Sequence, residues 1–312
     1  MDQIKELVLS WQTREVARLV RSDENVLDVV ISLLGEGDDA LKLRALFVLD
    51  DLLSDPSDSF RRKVLSRGFE RLVDLLTADD DRIVMRTLSV LRKLIENTNL
   101  TESQFARLLD ALYILAPRGK TTWIGILDLL SAISPGYYSS VDGHVARFLS
   151  SDNLWVSSIG LKLAASTGYA LDGNLRHVGR VFSEILDLND VLLLEVALDS
   201  MVQMLTTPSQ EIIEVLLRSS YFRLSVLATS HEDILVRSRV REVLGLMRRA
   251  IMNYYGKRPD DAIDLARRLK EEGFTEEAVF LEQMLPAYDW NASTISILEE
   301  NTGRLPRFLR EL

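Results

Sequence analysis

The chain has 312 residues, of which 47% are hydrophobic, and its 47 acidic and 37 basic residues give a formal net charge of −10. Because cysteine is absent, disulfides, thiolate metal sites and cysteine nucleophiles are excluded. The acidic balance disfavours nucleic-acid binding, which usually shows a basic footprint, but it allows a local basic patch.

The N-terminal residues predict a helical cap over 1–22. The chain starts without a basic region or a long apolar core, so we expect no secretory signal. No run approaches the roughly 18 apolar residues that span a bilayer. We therefore predict a cytoplasmic protein with no membrane partner. Ile4, Leu7, Val8 and Trp11 fall on one side of the cap, and we expect the Trp11 ring to be buried.

An acidic turn followed by a helix with an apolar face repeats along the chain. The clearest copies are residues 38–53 and 80–95, and an upstream helix precedes each copy. Two helices per period of about 40 residues indicate one supersecondary unit that is stacked on copies of itself. The position of Arg44 in the first clear copy is taken in later copies by Arg86, Gly125, Ser158, Glu195 and Arg237.

On these residues the chain resembles HEAT-repeat proteins over roughly residues 20–255. In that family a turn aspartate and an arginine six residues later form a ladder between neighbouring repeats. The resemblance implies ladder roles for two pairs, Asp38 with Arg44 and Asp80 with Arg86. The middle copies lose the arginine, and the last copy keeps the arginine without the aspartate.

The periodicity and the resemblance predict an all-α fold, a right-handed α-solenoid of HEAT/armadillo-like helical hairpins. We expect a single domain over residues 1–312, in which the N-terminal cap is followed by about six repeats over 23–255. A divergent helical cap is expected over 256–312. Its final helices are predicted at about 293–300 and 304–312.

Apparent motifs for catalysis fail when their context is considered. Gly119-Lys120-Thr121 resembles the end of a phosphate-binding loop, but Ile114 stands where the first glycine is needed, and the preceding segment has a helical pattern. We therefore predict that the protein is not an enzyme and has no catalytic residues, no metal ligands and no cofactor. We expect surface or turn positions for all three histidines, His144, His177 and His231.

The predicted function is a protein-binding scaffold whose concave face, lined by the second helices, holds another protein. Residues on second helices that point off the core are Lys42, Arg86, Ser89, Arg92, Lys93, Asp128, Asp199, Gln203, Arg237 and Arg241. The candidates for contact with a partner are Arg86, Arg92, Lys93, Arg237, Arg241, Arg248, Tyr254 and Tyr255.

Nucleic-acid binding through the region from Arg237 to Lys270 is the alternative function. This region begins in a helix predicted at about 234–255, and it carries ten basic and four acidic residues. Its arginines could neutralise phosphates, and Tyr254 or Tyr255 could stack on bases. A competing interpretation pairs the arginines with acidic neighbours on a solvated face. In a third interpretation, the basic face docks an acidic protein or another copy of the chain.

Overall fold

The computed structural model describes residues 2–54, 58–96, 98–133, 141–167, 171–188 and 190–284. Within these ranges all regular structure is helical. The chain divides into two compact units, residues 1–174 and 175–312, and each is described by itself. The single domain over 1–312 therefore stays a prediction, and the predicted helices at 293–300 and 304–312 lie outside the described residues.

The first unit is built from α-helices and one short 3₁₀ helix. In chain order these are α1 (Asp2–Leu9), α2 (Thr13–Ser22), α3 (Asn25–Leu33), α4 (Asp39–Leu53), α5 (Asp58–Leu75), α6 (Asp81–Ile95), α7 (Glu102–Leu115), η1 (Ala116–Arg118), α8 (Lys120–Ser131), α9 (Val141–Leu149) and α10 (Leu154–Thr167).

The helices of the first unit pack in two layers. One layer, the second-helix layer, contains α2, α4, α6, α8 and α10, each of which contacts the next. The other, the first-helix layer, contains α3, α5, α7 and α9. Apolar side chains such as Leu49, Leu91, Phe105 and Phe148 are fully buried in this unit. A fully buried side chain of this size contributes about 1.5–3 kcal/mol of transfer free energy, which makes these contacts the main source of cohesion.

The second unit is also built from α-helices. They are α11 (Leu171–Leu188), α12 (Val191–Met204), α13 (Gln210–Ser230), α14 (Ile234–Tyr255), α15 (Pro259–Glu271) and α16 (275–284). Two hydrogen bonds join α11 to α13: Ser183 donates to the carbonyl of Ser219 at 3.0 Å, and Arg223 donates to Asp187 at 2.7 Å. The helix between them in the chain, α12, packs on α14.

Four helices, α4, α6, α12 and α14, have an aspartate at the N-cap position. The carboxylates of Asp38, Asp80, Asp190 and Asp233 accept hydrogen bonds from the backbone N–H two residues later, at 2.9, 2.8, 3.0 and 2.7 Å. Each bond satisfies a donor that the helix itself leaves unpaired, and such a cap contributes about 1 kcal/mol. The acidic turn of the repeat is therefore a helix start signal.

Arg44 on α4 and Arg86 on α6 each contact a group on an earlier helix. The Arg44 guanidinium donates to the backbone carbonyl of Leu9, at the end of α1. Arg86 lies 3.5 Å from the Asp50 carboxylate on the preceding second helix. The ladder implied between these arginines and the turn aspartates stays a prediction.

Two copies that lack the arginine use close packing at the same position. At Gly125 a Cβ atom would lie 2.9 Å from a methyl carbon of Leu88, so a side chain there would force Leu88 to shift where α8 meets α6. Ser158 is buried, and its hydroxyl accepts a hydrogen bond from the Trp123 indole N–H at 3.0 Å. Small residues at this position therefore permit contacts between neighbouring second helices that an arginine would prevent.

Trp11 corrects the prediction for the N-terminal cap. Its side chain is 54% exposed, whereas burial in the cap was expected. The backbone at Trp11 turns sharply between α1 and α2, with φ at +60°, a left-handed conformation that is uncommon for a bulky residue. This turn directs the ring away from the cap core and towards Phe47, whose ring centroid is 5.6 Å away.

Replacement of Gly160 by alanine is expected to destabilise the first unit by about 1–3 kcal/mol, because it overpacks the contact between α10 and α9. The added Cβ would lie 2.8 Å from the backbone nitrogen of Leu149, and backbone cannot move aside cheaply. Urea unfolding followed by circular dichroism measures the change.

Gly143→Ala is the matched control, because nothing lies within 4 Å of the Cβ that it adds on α9. It is expected to stabilise the unit by about 0.5–1 kcal/mol through the better helix propensity of alanine. The same direction of change in both variants would contradict the close approach of the two helices.

Candidate protein-binding faces

The outer face of the second-helix layer carries an apolar hollow between α4 and α6. This α4–α6 hollow has a volume of about 340 Å³. Its apolar side chains are half-buried, so each contributes to the core and still presents carbon surface to solvent. The lining residues are Leu43, Phe47, Arg82, Met85, Arg86 and Ser89.

Aromatic rings and guanidinium groups alternate beside this hollow. The Arg86 guanidinium lies over the Phe47 ring, 3.9 Å from its centroid, and the Arg44 guanidinium lies 4.9 Å from the centroid of the Trp11 ring. Such stacking holds each cation on an aromatic face and contributes about 0.5–1 kcal/mol at exposed sites. The hollow itself is lined by two arginines and no carboxylate.

The predicted contacts Arg92 and Lys93 lie further along α6 and are ion-paired. Arg92 lies 3.2 Å from Asp128 on α8, and Lys93 lies 2.9 Å from Asp50 on α4. Lys93 also donates to the Ser54 hydroxyl at 2.9 Å. These pairs connect neighbouring second helices, so Arg92 and Lys93 have a structural role in addition to any contact with a partner.

In the second unit, Arg237 and Arg241 bind backbone carbonyls around the end of α13. Arg237 donates to the carbonyls of His231 and Glu232, and Arg241 donates to the carbonyl of Ala228 at 3.1 Å. Cations are favourable at the C-terminal end of a helix, where carbonyl groups lack intrahelical partners. Both arginines therefore stabilise the connection between α13 and α14.

Most of the basic region from Arg237 to Lys270 is bonded within the second unit. Arg268 lies 3.1 Å from Glu214, and Lys270 lies 2.6 Å from Glu282. Seven of its ten cations are bonded in this way or to neutral groups: Arg239, Arg267, Arg268 and Lys270 bind carboxylates, and Arg237, Arg241 and Arg258 bind backbone carbonyls or a tyrosine hydroxyl. The four carboxylate pairs partly neutralise the positive charge, which weakens the field that a phosphate chain would meet.

The two tyrosines proposed for stacking occupy different environments. Tyr255 is only 2% exposed, so its ring has no free face for a base or a partner, and its assignment as a contact residue is wrong. The reason is that Tyr255 belongs to the buried stripe of α14, whose other members are Val236, Val240, Val243, Met247, Ala250 and Ile251. Tyr254 is half-buried and borders a hollow of about 470 Å³ that Arg249 also lines. Arg248 is exposed, with its guanidinium 5.7 Å from the Phe280 ring centroid.

Glu214 is the centre of an ionic network beneath this region. It lies 3.1 Å from both Arg218 and Arg268, and Gln210 donates to it at 2.9 Å. Burial of Glu214 favours its neutral form, but hydrogen bonds from Gln210 and Arg218 and the charge of Arg268 outweigh this effect, so its pKa is lowered. Burial and the Glu214 charge raise the pKa of Tyr255.

A second groove, missed by the sequence analysis, lies between α12 and α14. This α12–α14 groove has a volume of about 420 Å³ and combines exposed apolar side chains with carboxylates. The sequence contained one indication of this groove: Leu235 is apolar but falls outside the buried stripe of α14 that starts at Val236, so it must be exposed. The lining residues are Val191, Glu195, Leu198, Asp199, Asp233, Leu235, Val236 and Arg239.

Neither a metal site nor a membrane span is found in the described part of the chain. No three or more histidine or acidic side chains there are grouped so that they could hold an ion. No described helix combines the length and the apolarity needed to cross a membrane. His231 is a turn residue as predicted but is buried rather than exposed, and its Nδ1 accepts a hydrogen bond from the Asp233 N–H at 3.0 Å.

Comparison with known proteins identifies the fold. No family model and no curated sequence matches the chain. Among solved structures, an archaeal HEAT-like repeats protein from Thermococcus onnurineus NA1 matches with a TM-score of 0.69 and 22% identity, over 80% of this chain and 97% of that chain. An engineered protein matches with a TM-score of 0.51 and 19% identity, over 71% of this chain and 98% of that chain. The predicted all-α solenoid fold and the resemblance to HEAT-repeat proteins are confirmed.

Glu214→Gln is expected to destabilise the second unit by about 1–3 kcal/mol at neutral pH, because Arg218 and Arg268 lose a charged partner. The pKa of Glu214 is lower in the folded chain than its ordinary value of 4.5. The stabilisation is therefore fully present above pH 4.5 and is lost as the pH falls through the folded pKa. Urea unfolding at several pH values measures this trend.

The control is Glu242→Gln, which removes an exposed partner of Arg239 and should cost at most about 1 kcal/mol. If the two variants cost the same, or if the cost of Glu214→Gln stays constant into acid, the network does not have the stabilising role assigned to it.

Proposed function

We propose that the chain is a non-enzymatic, cytoplasmic scaffold that binds another protein along the second-helix layer of its first unit. The observation that carries this proposal is the set of aromatic and arginine side chains beside the α4–α6 hollow, in which Trp11 is exposed and Phe47, Arg44 and Arg86 are half-buried. Tryptophan and arginine are enriched among the residues that dominate binding energy at protein interfaces.

The conformation of Trp11 supports a binding role. A left-handed backbone at a non-glycine residue costs of order 1 kcal/mol, and half of this large ring remains in water. Neither feature favours folding. Local strain of this kind clusters at binding sites, where it presets the orientation of a side chain. Trp11 therefore offers a partner an aromatic surface whose position is fixed before binding.

The lining of the hollow specifies the partner chemistry. Its carbon surface suits an apolar side chain. Arg82 is paired with Asp80 at 2.7 Å and Arg86 lies 3.5 Å from Asp50. Each guanidinium has five N–H donors, and those that these contacts leave over suit a carboxylate of the partner, which such groups bind with directional hydrogen bonds. We infer a protein segment that places an acidic residue beside an apolar one. Arg92 and Lys93 extend the same face along α6. For the second unit, no observation favours nucleic acid over the ion-paired arrangement of its arginines.

Selection of a displayed random-peptide library on the full chain tests the proposal. Enriched peptides should combine acidic and large apolar residues, and a synthetic copy of one should bind at least about tenfold more weakly to Trp11→Ala and to Arg86→Ala, a loss of about 1.4 kcal/mol. Isothermal titration calorimetry measures the affinity, and thermal unfolding confirms that both variants are folded.

Two controls remove comparable side chains from other surfaces. Ile114→Ala deletes an exposed apolar side chain from α7, and Arg62→Ala deletes an exposed arginine from α5, so both changes lie in the first-helix layer. Both should bind like the unaltered chain. Peptides that bind all four variants equally well would show that the α4–α6 hollow is not the site.

A further inference from the structure

The α12–α14 groove has an apolar surface that the second unit leaves uncovered. Leu235 is 75% exposed and Val191 is 46% exposed, while Leu198 and Val236 between them are buried. Ile234, beside Leu235, is also exposed. Exposed apolar side chains scattered singly are ordinary, but here two, Leu235 and Val191, border one concavity, which is the arrangement of a binding groove.

The charge around this groove is negative. Three carboxylates, from Glu195, Asp199 and Asp233, line it together with one guanidinium, from Arg239. That guanidinium is already bonded to Asp199 and to Glu242. A ligand in the groove therefore meets carboxylates that the single cation does not neutralise.

Glu195 is the distinctive residue of this groove. It stands at the repeat position that Arg44, Arg86 and Arg237 occupy elsewhere, so the sign of the charge is reversed at an equivalent place. In those copies the arginine binds a backbone carbonyl or a carboxylate of its own unit. Glu195 instead lies exposed at the groove, one helical turn before Asp199 on the same face of α12.

We propose that the α12–α14 groove binds a partner protein segment in which an apolar side chain stands next to an arginine or lysine. The apolar side chain would contact Leu235 and Val191, and the cation would lie beside Glu195. Carboxylates at the rim repel phosphates and acidic segments, so this groove selects a partner opposite in charge to the one that suits the α4–α6 hollow.

Fluorescence anisotropy with a labelled synthetic peptide that alternates leucine and arginine tests this proposal on the full chain. The peptide should bind, whereas one with glutamate in place of arginine and one with serine in place of leucine should not. Leu235→Ser and Glu195→Lys should each weaken binding at least about tenfold, because they remove the apolar contact and the attractive charge respectively.

The controls are Ile263→Ser, which changes an exposed apolar residue on α15, and Glu6→Lys, which changes the net charge as Glu195→Lys does. Both should leave binding within about twofold, well below the tenfold change that corresponds to 1.4 kcal/mol. Trp11→Ala should also leave it intact, so the two binding faces are tested separately. If Glu6→Lys weakened binding as much as Glu195→Lys does, the peptide would be held by non-specific charge attraction, and the proposal would be overturned.

Analytical ultracentrifugation of the full chain tests a competing occupant. The proposal predicts that Leu235→Ser leaves the sedimentation of the chain unchanged. A dimer that dissociates on Leu235→Ser would assign the groove to a second copy of the chain and would also overturn the proposal.

Discussion

An isolated helical pair of this chain exposes an apolar face that it cannot cover by itself. Side chains such as Leu49 and Leu91 leave water only when α4 and α6 lie against each other and against their first helices. This requirement fixes which face of each second helix is core and which remains outside. The outer face is less bound by that constraint and can carry residues that do not serve packing, and it is there that the proposed binding surfaces lie.

The residue at the Arg44 position shows how one repeat position serves several purposes. Arginine binds a carbonyl or carboxylate at positions 44, 86 and 237, while Gly125 and Ser158 allow close helix contacts, and Glu195 is exposed. Each residue suits the neighbours that its own copy provides, whether a carbonyl, a carboxylate or a closely approaching helix. The degeneracy of the repeat therefore has a physical explanation, since these neighbours differ from copy to copy in both size and charge.

Helix positions and the layer to which each helix belongs were predictable from the sequence, because period and capping residues are local signals. The environments of single side chains were not. Trp11 was expected in the core, but the left-handed turn that exposes it depends on how α1 meets α2. Tyr255 was expected at a partner surface, although it lies four residues after Ile251, which lies four after Met247, and this spacing places it in the buried stripe. The α12–α14 groove requires two helices to be adjacent, which composition cannot reveal.

Amide hydrogen exchange of the full chain, with and without a saturating selected peptide, tests most directly whether the outer faces of second helices are the binding surfaces. Side-chain contacts that hold a helix in place slow its local opening, so binding should increase protection in α4 and α6. The first-helix layer, α3, α5 and α7, should exchange at unchanged rates. Protection that appears instead in α3, α5 and α7, with none in α4 and α6, would contradict the account.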